Sequence, residues 1–374
     1  MMRSSPFSVL IKPVSADCNL DCQYCFYRPK AALYPEPAVH RMSDETLSAL
    51  VQQVMRLSGH SASFGWQGGE PTLVGLDFFR RAVELQAASV RDGQVVANGL
   101  QTNAVVIDDD LADFLAQYRF LVVVSVDGPQ PMHDHFRGKG THARVMRALK
   151  ALRRHSVEHN ALIMVTPRNV AAPEEVYEFC QQEKLHYLQF IHCAERDPQT
   201  GEIAGFSVAP EDYGDFLCRV FDRWSAEDPP RTYVRLFDDL LAVHLGYQMP
   251  SCSLRDACGD YVVVEWNGDV YACDFFVEPE WKLGNLLETP LEAMIGSPLW
   301  ARFRNRKSRH TGRCVSCGWL SLCHGECPKY RLVAHPGDDS GPSYFCEAYR
   351  KFFAYSQRRY TELARRGPRM VGAP

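Results

Sequence analysis

The chain has 374 residues, of which 46% are hydrophobic, so it is long enough for a large core or two domains. Its formal net charge of -4 provides no basic footprint for nucleic acid. No stretch approaches the roughly 20 apolar residues of a membrane span, and the early run FSVLI is too short for a signal peptide. We therefore expect a soluble, cytoplasmic protein with neither a nucleic-acid nor a membrane partner. Disulfides rarely persist there, so the 14 cysteines need another purpose.

Strand and helix signals alternate through the first half of the chain. The apolar run FSVLI predicts a strand, and SDETLSALVQQVMRL predicts a helix that Ser43 opens with acidic residues in its first turn. Further strands are predicted at SASFGWQ, QVVANGLQTN, FLVVVSVDG, HNALIMVT and HYLQFIHC. The helices between them are predicted at LDFFRRAVELQAAS, DDDLADFLAQY, THARVMRALKALRRH and PEEVYEFCQQEK. This series predicts an α/β fold with a parallel sheet, closed in part as a (β/α)6 barrel.

Polar motifs stand at the ends of these predicted strands. They are CNLDCQYC, GGEPT, QTN, SVDG and QFIHC. In barrels of parallel strands the working residues gather at the carboxyl ends of the strands. We therefore expect the five motifs to meet at one mouth of the barrel.

The first motif holds three cysteines, Cys18, Cys22 and Cys25. A tetrahedral zinc site would need a fourth nitrogen or sulfur ligand. Thiolates are the usual ligands of iron-sulfur clusters, and three of them on a four-iron cluster leave one iron open to an outside ligand. The alternative is a helix with a buried cysteine stripe, but the polar residues between the cysteines argue against it.

Eight more cysteines crowd into the C-terminal part of the chain. They are Cys252, Cys258, Cys273, Cys314, Cys317, Cys323, Cys327 and Cys346. Eight is two sets of four, and spacing alone leaves two structural zinc sites open. The text VVVEWNGDVYACD, with NG at its turn, predicts a hairpin that ends at Cys273 and Asp274.

Other residues have plainer interpretations. The isolated Cys180, Cys193 and Cys218 are predicted to be buried packing residues, because free cysteine behaves as a small hydrophobe. The basic run RFRNRK, at 302–307, is predicted to form a solvated face.

The cysteine triplet, with Tyr24 before its last member and GGEP near residue 70, resembles the radical S-adenosylmethionine (radical SAM) family. The resemblance implies that the open iron chelates the methionine part of SAM, whose cleavage yields a 5′-deoxyadenosyl radical. It also implies a set of cofactor-binding residues. They are Tyr24, then Gly68, Gly69 and Glu70 for the methionine ammonium, Ser125 and Arg137 for the ribose and the carboxylate, and Ala194 for the adenine.

The C-terminal cysteines, spaced C-x5-C-x14-C and then C-x2-C-x5-C-x3-C, are similar to the SPASM extension of radical SAM enzymes. That resemblance implies two fully ligated 4Fe-4S clusters. The inner ligands would be Cys252, Cys258, Cys273 and Cys327, and the outer ligands Cys314, Cys317, Cys323 and Cys346. The implied domains are a radical SAM partial barrel (1–232), a SPASM-like domain (233–347) and a C-terminal helix and tail (348–374).

Longer stretches resemble the anaerobic sulfatase-maturating enzymes. They include LIKPVSADCNLDCQYCFY, FGWQGGEPTL, LVVVSVDGP, VRLFDDLL and GDVYACDFFV. The resemblance implies oxidation of a sulfatase cysteine or serine to Cα-formylglycine, with Asp274 as the catalytic base and Gln67 facing the substrate. It further implies three 4Fe-4S clusters, SAM, an unfolded or peptide segment of a sulfatase as substrate, and a reductant such as flavodoxin or ferredoxin. We expect a monomer.

Two departures from that family and two rival functions stay open. Ala104 stands where the family usually has glycine after QTN, and HGE (324–326) stands where the family commonly has a GG-containing text, so the shapes of both loops are in question.

One rival function is that of a maturase that crosslinks ribosomal peptides. Such a maturase commonly carries an extra N-terminal domain, whereas 17 residues precede Cys18. The other is an electron carrier or structural metal protein, which would need neither the open iron nor GGEP.

Overall fold

The computed structural model describes residues 7–36, 38–197, 199–227, 231–259, 261–310, 312–332 and 341–366. The ends of the predicted first and last domains, 1–6 and 367–374, lie outside these residues. The strands are β1 Phe7–Lys12, β2 Ser61–Trp66, β3 Val95–Thr102, β4 Leu121–Ser125, β5 His159–Val165, β6 Tyr187–His192, β7 Tyr233–Val234, β8 Tyr261–Glu265, β9 Asp269–Tyr271 and β10 Lys282–Asn285.

The helices are α1 Asp44–Leu57, α2 Leu76–Ser89, α3 Asp109–Gln117, α4 Gln130–Arg137, α5 Thr141–Arg154, α6 Pro173–Gln182, α7 Pro210–Ala226, α8 Arg235–His244, α9 Leu291–Ile295, α10 Pro298–Asn305, α11 Gly312–Val315, α12 Leu320–Cys323 and α13 Cys346–Arg365. The predicted alternation of strand and helix from β1 to β6 is confirmed. Ser43 caps α1 as expected, because its hydroxyl oxygen accepts the Thr46 amide at 3.1 Å. None of the helices in the described ranges is long and apolar enough to cross a membrane.

The described residues form two compact units. The first takes the chain up to Ser125, Ala143–His159 and Gly259–Arg304, and the second takes Val126–His142, Asn160–Cys258 and the chain from Asn305 onward. Both units draw on separated stretches of sequence. The domain boundaries given above stay a prediction.

In the first unit, β1 lies between β2 and β8 and pairs with both in parallel. On one side the sheet continues in parallel through β3 and β4, and on the other β8, β9 and β10 run antiparallel. The predicted hairpin is therefore confirmed as β8 and β9. Because parallel strands present their carboxyl ends at one edge, β1, β2 and β8 bring Lys12, Trp66 and Glu265 to the same edge.

In the second unit, β5, β6 and β7 are parallel, and the long helices α7 and α13 pack closely. A Cβ on Gly214 of α7 would lie 3.2 Å from the Ala348 Cα of α13, so a small residue is needed there. Phe221, Phe237 and Phe352 form an aromatic core between these helices and α8.

The predicted burial of the three isolated cysteines and the predicted exposure of the basic run 302–307 have different outcomes. Cys180, Cys193 and Cys218 are buried, as expected. The prediction of a solvated face at 302–307 is wrong for Arg306 and Lys307, which are 6% and 0% exposed. Lys307 is buried because its ammonium donates to the Cys252 and Ser253 carbonyls at 2.8 and 2.7 Å.

Candidate active site

The cysteine triplet follows β1 on a loop of turns. Residues 13–27 contain no helix, so the interpretation as a helical cysteine stripe is wrong. Cys18 is exposed, and Cys22 and Cys25 are half-buried. The Cys25 amide donates to the Cys22 carbonyl at 3.1 Å, and the Leu20 amide lies 3.4 Å from the Cys18 sulfur. The three thiols are therefore held by local backbone bonds and stay accessible from solvent.

The GGEP backbone packs directly on this loop. The Gly69 amide donates to the Ser15 carbonyl at 2.7 Å, and the Glu70 amide donates to the Asp17 carbonyl at 2.8 Å. A Cβ on Gly69 would lie 1.9 Å from the Asp17 carbonyl oxygen, and Gly68 has φ +136°. Only glycine fits such an approach. GGEP thereby meets the cysteine loop, as the strand-end argument predicted.

The Glu70 carboxylate joins GGEP to QTN. It is completely buried and accepts hydrogen bonds from the Thr72 amide and hydroxyl, the Thr102 hydroxyl and the Asn103 amide. Burial raises the pKa of Glu70, and these bonds oppose that shift. The Asn103 side-chain amide in turn donates to Asn19 at 2.8 Å and lies 3.7 Å from the Cys18 sulfur. Three predicted motifs are thus tied together, while the role of Glu70 toward a ligand ammonium stays a prediction.

The structure brings Asp274 and Gln67 together. The Gln67 amide donates to Asp274 Oδ2 at 3.1 Å, and the Tyr261 hydroxyl donates to Oδ1 at 2.6 Å. The Cys273 sulfur lies 3.4 Å from both the Tyr261 hydroxyl and Asp274 Oδ1. Asp274 is 8% exposed, so it is a buried, oriented carboxylate beside a thiol. Sequence reasoning missed Tyr261, whose only signal was an aromatic residue at the start of β8.

Lys12 is a second residue that sequence reasoning missed. It is 1% exposed, and its ammonium lies 4.1 Å from the centre of the Tyr27 ring, whose hydroxyl donates to Glu265. Burial lowers the pKa of Lys12, while Asp274, Glu265 and the Cys25 and Cys273 thiols raise it. The feature of the sequence that could have indicated this buried cation is a lysine at the end of a mostly apolar strand.

The second unit holds two further predicted cofactor residues, Arg137 and Ala194. Arg137 Nε and Nη2 donate to the two oxygens of buried Asp127 at 2.8 and 3.0 Å. Asp127 Oδ1 also accepts the Met164 amide at 3.0 Å, which fixes this pair against β5. Ala194 is buried just after β6. Ser125, in the first unit, is buried at the end of β4. Their roles toward SAM stay predictions.

The four outer cysteines line one cavity of about 240 Å³ together with Arg313, Trp319 and Arg350. They come from α11 and the residues after it, from α12 and from the start of α13. Burial raises the pKa of the Cys323 thiol to about 12, so it is protonated until a metal displaces the proton. Four thiols around one cavity are the donor set that an iron-sulfur cluster uses.

Three of the four inner cysteines are neighbours in the second unit. Burial raises the pKa of the Cys327 thiol, and the nearby Cys252 and Cys258 thiols raise it further. The three thiols are therefore close enough to interact electrostatically. Burial lowers the pKa of the Lys307 ammonium, and the negative charge of the same three thiolates opposes that shift. Within the described part of the chain, no three cysteine, histidine or carboxylate side chains are placed to hold one metal ion.

Comparison with known proteins identifies the class. The chain matches the Radical SAM superfamily over residues 13–180 and the SPASM iron-sulfur cluster-binding domain over residues 252–318. It is therefore a radical SAM protein with a SPASM domain, and it binds iron-sulfur clusters.

Relatives and a solved structure identify the family. The chain is 37% identical to a serine-type anaerobic sulfatase-maturating enzyme of Bacteroides thetaiotaomicron, over 94% of this chain and 90% of that protein. It is 34% identical to a cysteine-type enzyme of Clostridium perfringens, over 96% and 98% of the two chains. The structure of native anSMEcpe with bound AdoMet and Kp18Cys peptide superposes with a TM-score of 0.89 at 33% identity, covering 97% of this chain and 100% of that one. The chain belongs to the anaerobic sulfatase-maturating enzymes, which disfavours both rival functions.

We expect Gly69→Ala to displace the GGEP loop, because the new Cβ overlaps the Asp17 carbonyl oxygen. Overpacking of this kind costs about 1–3 kcal/mol, so the melting temperature should fall, and with it the iron bound by the cysteine triplet. Calorimetry and iron analysis measure both. Gly205→Ala is the matched control, since no atom lies within 4 Å of its Cβ position. Equal behaviour of the two variants would contradict the close-packing argument.

Proposed function

We propose that this chain oxidises a cysteine or serine side chain in a sulfatase peptide to Cα-formylglycine, using SAM and three 4Fe-4S clusters. The observation that carries the proposal is the buried Asp274 carboxylate, held by Gln67 and Tyr261 beside Cys273. Family membership supports the same reaction. A flavodoxin or ferredoxin as reductant, and a monomeric state, are parts of the proposal that rest on the resemblance alone.

The residues present fit the cofactors. Cys18, Cys22 and Cys25 would leave one iron of their cluster open, and the GGEP backbone beside them leaves no space for side chains. The inner and outer sets of four cysteines would each complete one auxiliary cluster, and the outer set already surrounds a cavity. Tyr24, Ser125, Arg137 and Ala194 would complete the contacts to SAM.

When bound, these groups supply a radical that removes a hydrogen atom from the substrate Cβ and an acceptor for one further electron. The substrate must also lose the thiol or hydroxyl proton, and a thiol with a pKa of about 8.5 is mostly protonated at pH 7. Asp274 takes that proton. A cysteine then becomes a thioaldehyde, which water converts to the aldehyde with release of sulfide, whereas a serine yields the aldehyde directly.

Gln67 and Tyr261 orient the base. Each donates to a different oxygen of Asp274, which leaves lone pairs on both oxygens for the substrate proton. Their hydrogen bonds stabilise the ionised carboxylate, the form that can accept a proton. The buried Lys12 ammonium adds a positive charge within reach of Asp274, Glu265 and two predicted ligand sulfurs. Gln67, Tyr261 and Lys12 therefore surround a carboxylate that is itself only 8% exposed.

Replacing Cys18, Cys22 or Cys25 with alanine should abolish release of 5′-deoxyadenosine from SAM. Iron should fall by about four per chain and leave roughly eight, since each 4Fe-4S cluster is counted separately. Iron analysis and chromatography of the nucleoside measure these quantities. Cys180→Ala is the control, because Cys180 is a buried packing residue. Wild-type protein with only zinc, or with about four irons, would contradict the three-cluster assignment.

Asp274→Asn should keep all clusters and still cleave SAM, but it should lose formylglycine formation by at least about 100-fold, the usual scale of general base catalysis. Peptides with C-x-P-x-R and S-x-P-x-R motifs are the substrates, and 5′-deoxyadenosine and oxidised peptide are quantified side by side. The preferred peptide also reports whether cysteine or serine is the target. Product formation near the wild-type rate would remove Asp274 from this role.

Gln67→Ala removes one of the two side-chain donors to Asp274. We expect slower peptide oxidation with SAM cleavage retained, because the base is less well oriented while the cofactor site is intact. The ratio of oxidised peptide to 5′-deoxyadenosine measures the uncoupling. An unchanged ratio with equal loss of both activities would instead assign Gln67 to the cofactor site.

A further inference from the structure

Four side-chain interactions join two segments of the second unit, 192–196 and 326–332. His192 Nε2 pairs with Glu326 Oε1 at 2.7 Å, the Tyr330 hydroxyl donates to the His192 carbonyl at 3.2 Å, Lys329 pairs with Glu195, and the Arg196 guanidinium donates to the Leu332 carbonyl. We call this set the seam. The first segment contains Ala194, and the second contains Cys327.

Glu326 is the most buried member of the seam. It is 0% exposed, and its second oxygen accepts the Ser343 hydroxyl. Both oxygens of the Glu326 carboxylate therefore have a side-chain partner in the interior. The His192 ring is enclosed by aromatic rings whose centres lie 4.2 Å (Tyr330) and 4.3 Å (Phe345) away. A buried carboxylate depends on such partners, because an unpaired charge in the interior is strongly destabilising.

The backbone at Glu326 is strained for a residue with a side chain. His324, Gly325 and Glu326 have φ values of +47°, +73° and +58°, and they are the three residues that separate Cys323 from Cys327. A non-glycine residue in this region is strained because its Cβ crowds the backbone, and glycine avoids that strain. The backbone conformation therefore favours glycine at position 326. What glutamate adds there is a carboxylate that bonds His192 and Ser343.

We propose that Glu326 is a positioning residue that links the loop of Cys327 to the segment of Ala194, so that cluster binding at Cys327 and SAM binding favour each other. The proposal rests on the proposed function, which supplies the roles of Cys327 and Ala194. If the seam transmits such a coupling, linkage requires that each event strengthens the other by the same factor.

Glu326→Gly is the sharpest test, since glycine adopts the same backbone without strain and removes only the carboxylate. In the reconstituted holoprotein, the Kd for SAM, measured by equilibrium dialysis, should rise at least about fivefold, within the usual range of coupling between sites. The electron paramagnetic resonance signal of the reduced auxiliary clusters should change as well. Glu326→Gln should restore most of both, because its amide can still bond His192 and Ser343. An unchanged Kd and signal in Glu326→Gly would overturn the proposal.

A matched pair of lysine variants tests the seam without changing residue 326, so the result does not depend on whether the Glu326 variants fold. Lys329→Met removes the seam's ion pair with Glu195, whereas Lys351→Met removes an exposed ion pair with Asp215 outside the seam. Only Lys329→Met should weaken SAM binding, and equal Kd values would count against the seam.

The coupling itself is tested with Cys327→Ala. This change should weaken SAM binding in the wild-type background and have a smaller effect beside Glu326→Gly. Equal effects in the two backgrounds would overturn the coupling. The proposed function fails separately, if wild-type protein lacks the iron of three clusters or does not bind SAM.

Discussion

Gly69 has no room for a side chain, because its Cα stands against the Asp17 carbonyl of the cysteine loop. The links between GGEP, the cysteine loop and QTN depend on that contact. It sets the depth of GGEP relative to the three thiols, and Glu70, the next residue, then reaches Thr102 and Asn103 at the end of β3. The Asn103 side-chain amide in turn donates to Asn19, the residue next to Cys18. The loop that would hold the cluster and the loops that would hold SAM thus form one hydrogen-bonded structure.

The charges beneath these loops are buried, which requires that they compensate one another. Lys12 and Glu265 come from neighbouring strands in register, and Tyr27 contacts both of them. Asp274 extends this group toward Cys273. An ammonium placed near two carboxylates and two ligand thiols lowers the free energy of their anionic forms. Lys307 has the same relation to the three cysteines of the second unit, so both units place one buried lysine beside their predicted thiolates.

Most of the fold could be predicted from the sequence, because periodicity and capping are local. Ser43 and the NG turn of the hairpin are examples. The strand-end rule also placed CNLDCQYC, GGEPT and QTN together correctly. Lys12, Tyr261, Lys307 and Glu326 were missed for a physical reason. Their partners come from other elements of the chain, and a charged or polar residue is expected at the surface until its buried partner is known. For this reason Lys307 was predicted to be solvated, whereas it is buried.

The two departures from the family pattern show how a loop can adopt a left-handed backbone without glycine. Ala104 has φ +61° and Glu326 has φ +58°, so both residues hold the left-handed conformation that glycine adopts without cost. At Ala104 the Thr102 hydroxyl accepts the backbone amide at 2.8 Å, which offsets part of the strain. At Glu326 the carboxylate has two buried partners. A strained residue persists only where its surroundings stabilise it more than the strain costs, and at both positions side-chain hydrogen bonds supply part of that stabilisation.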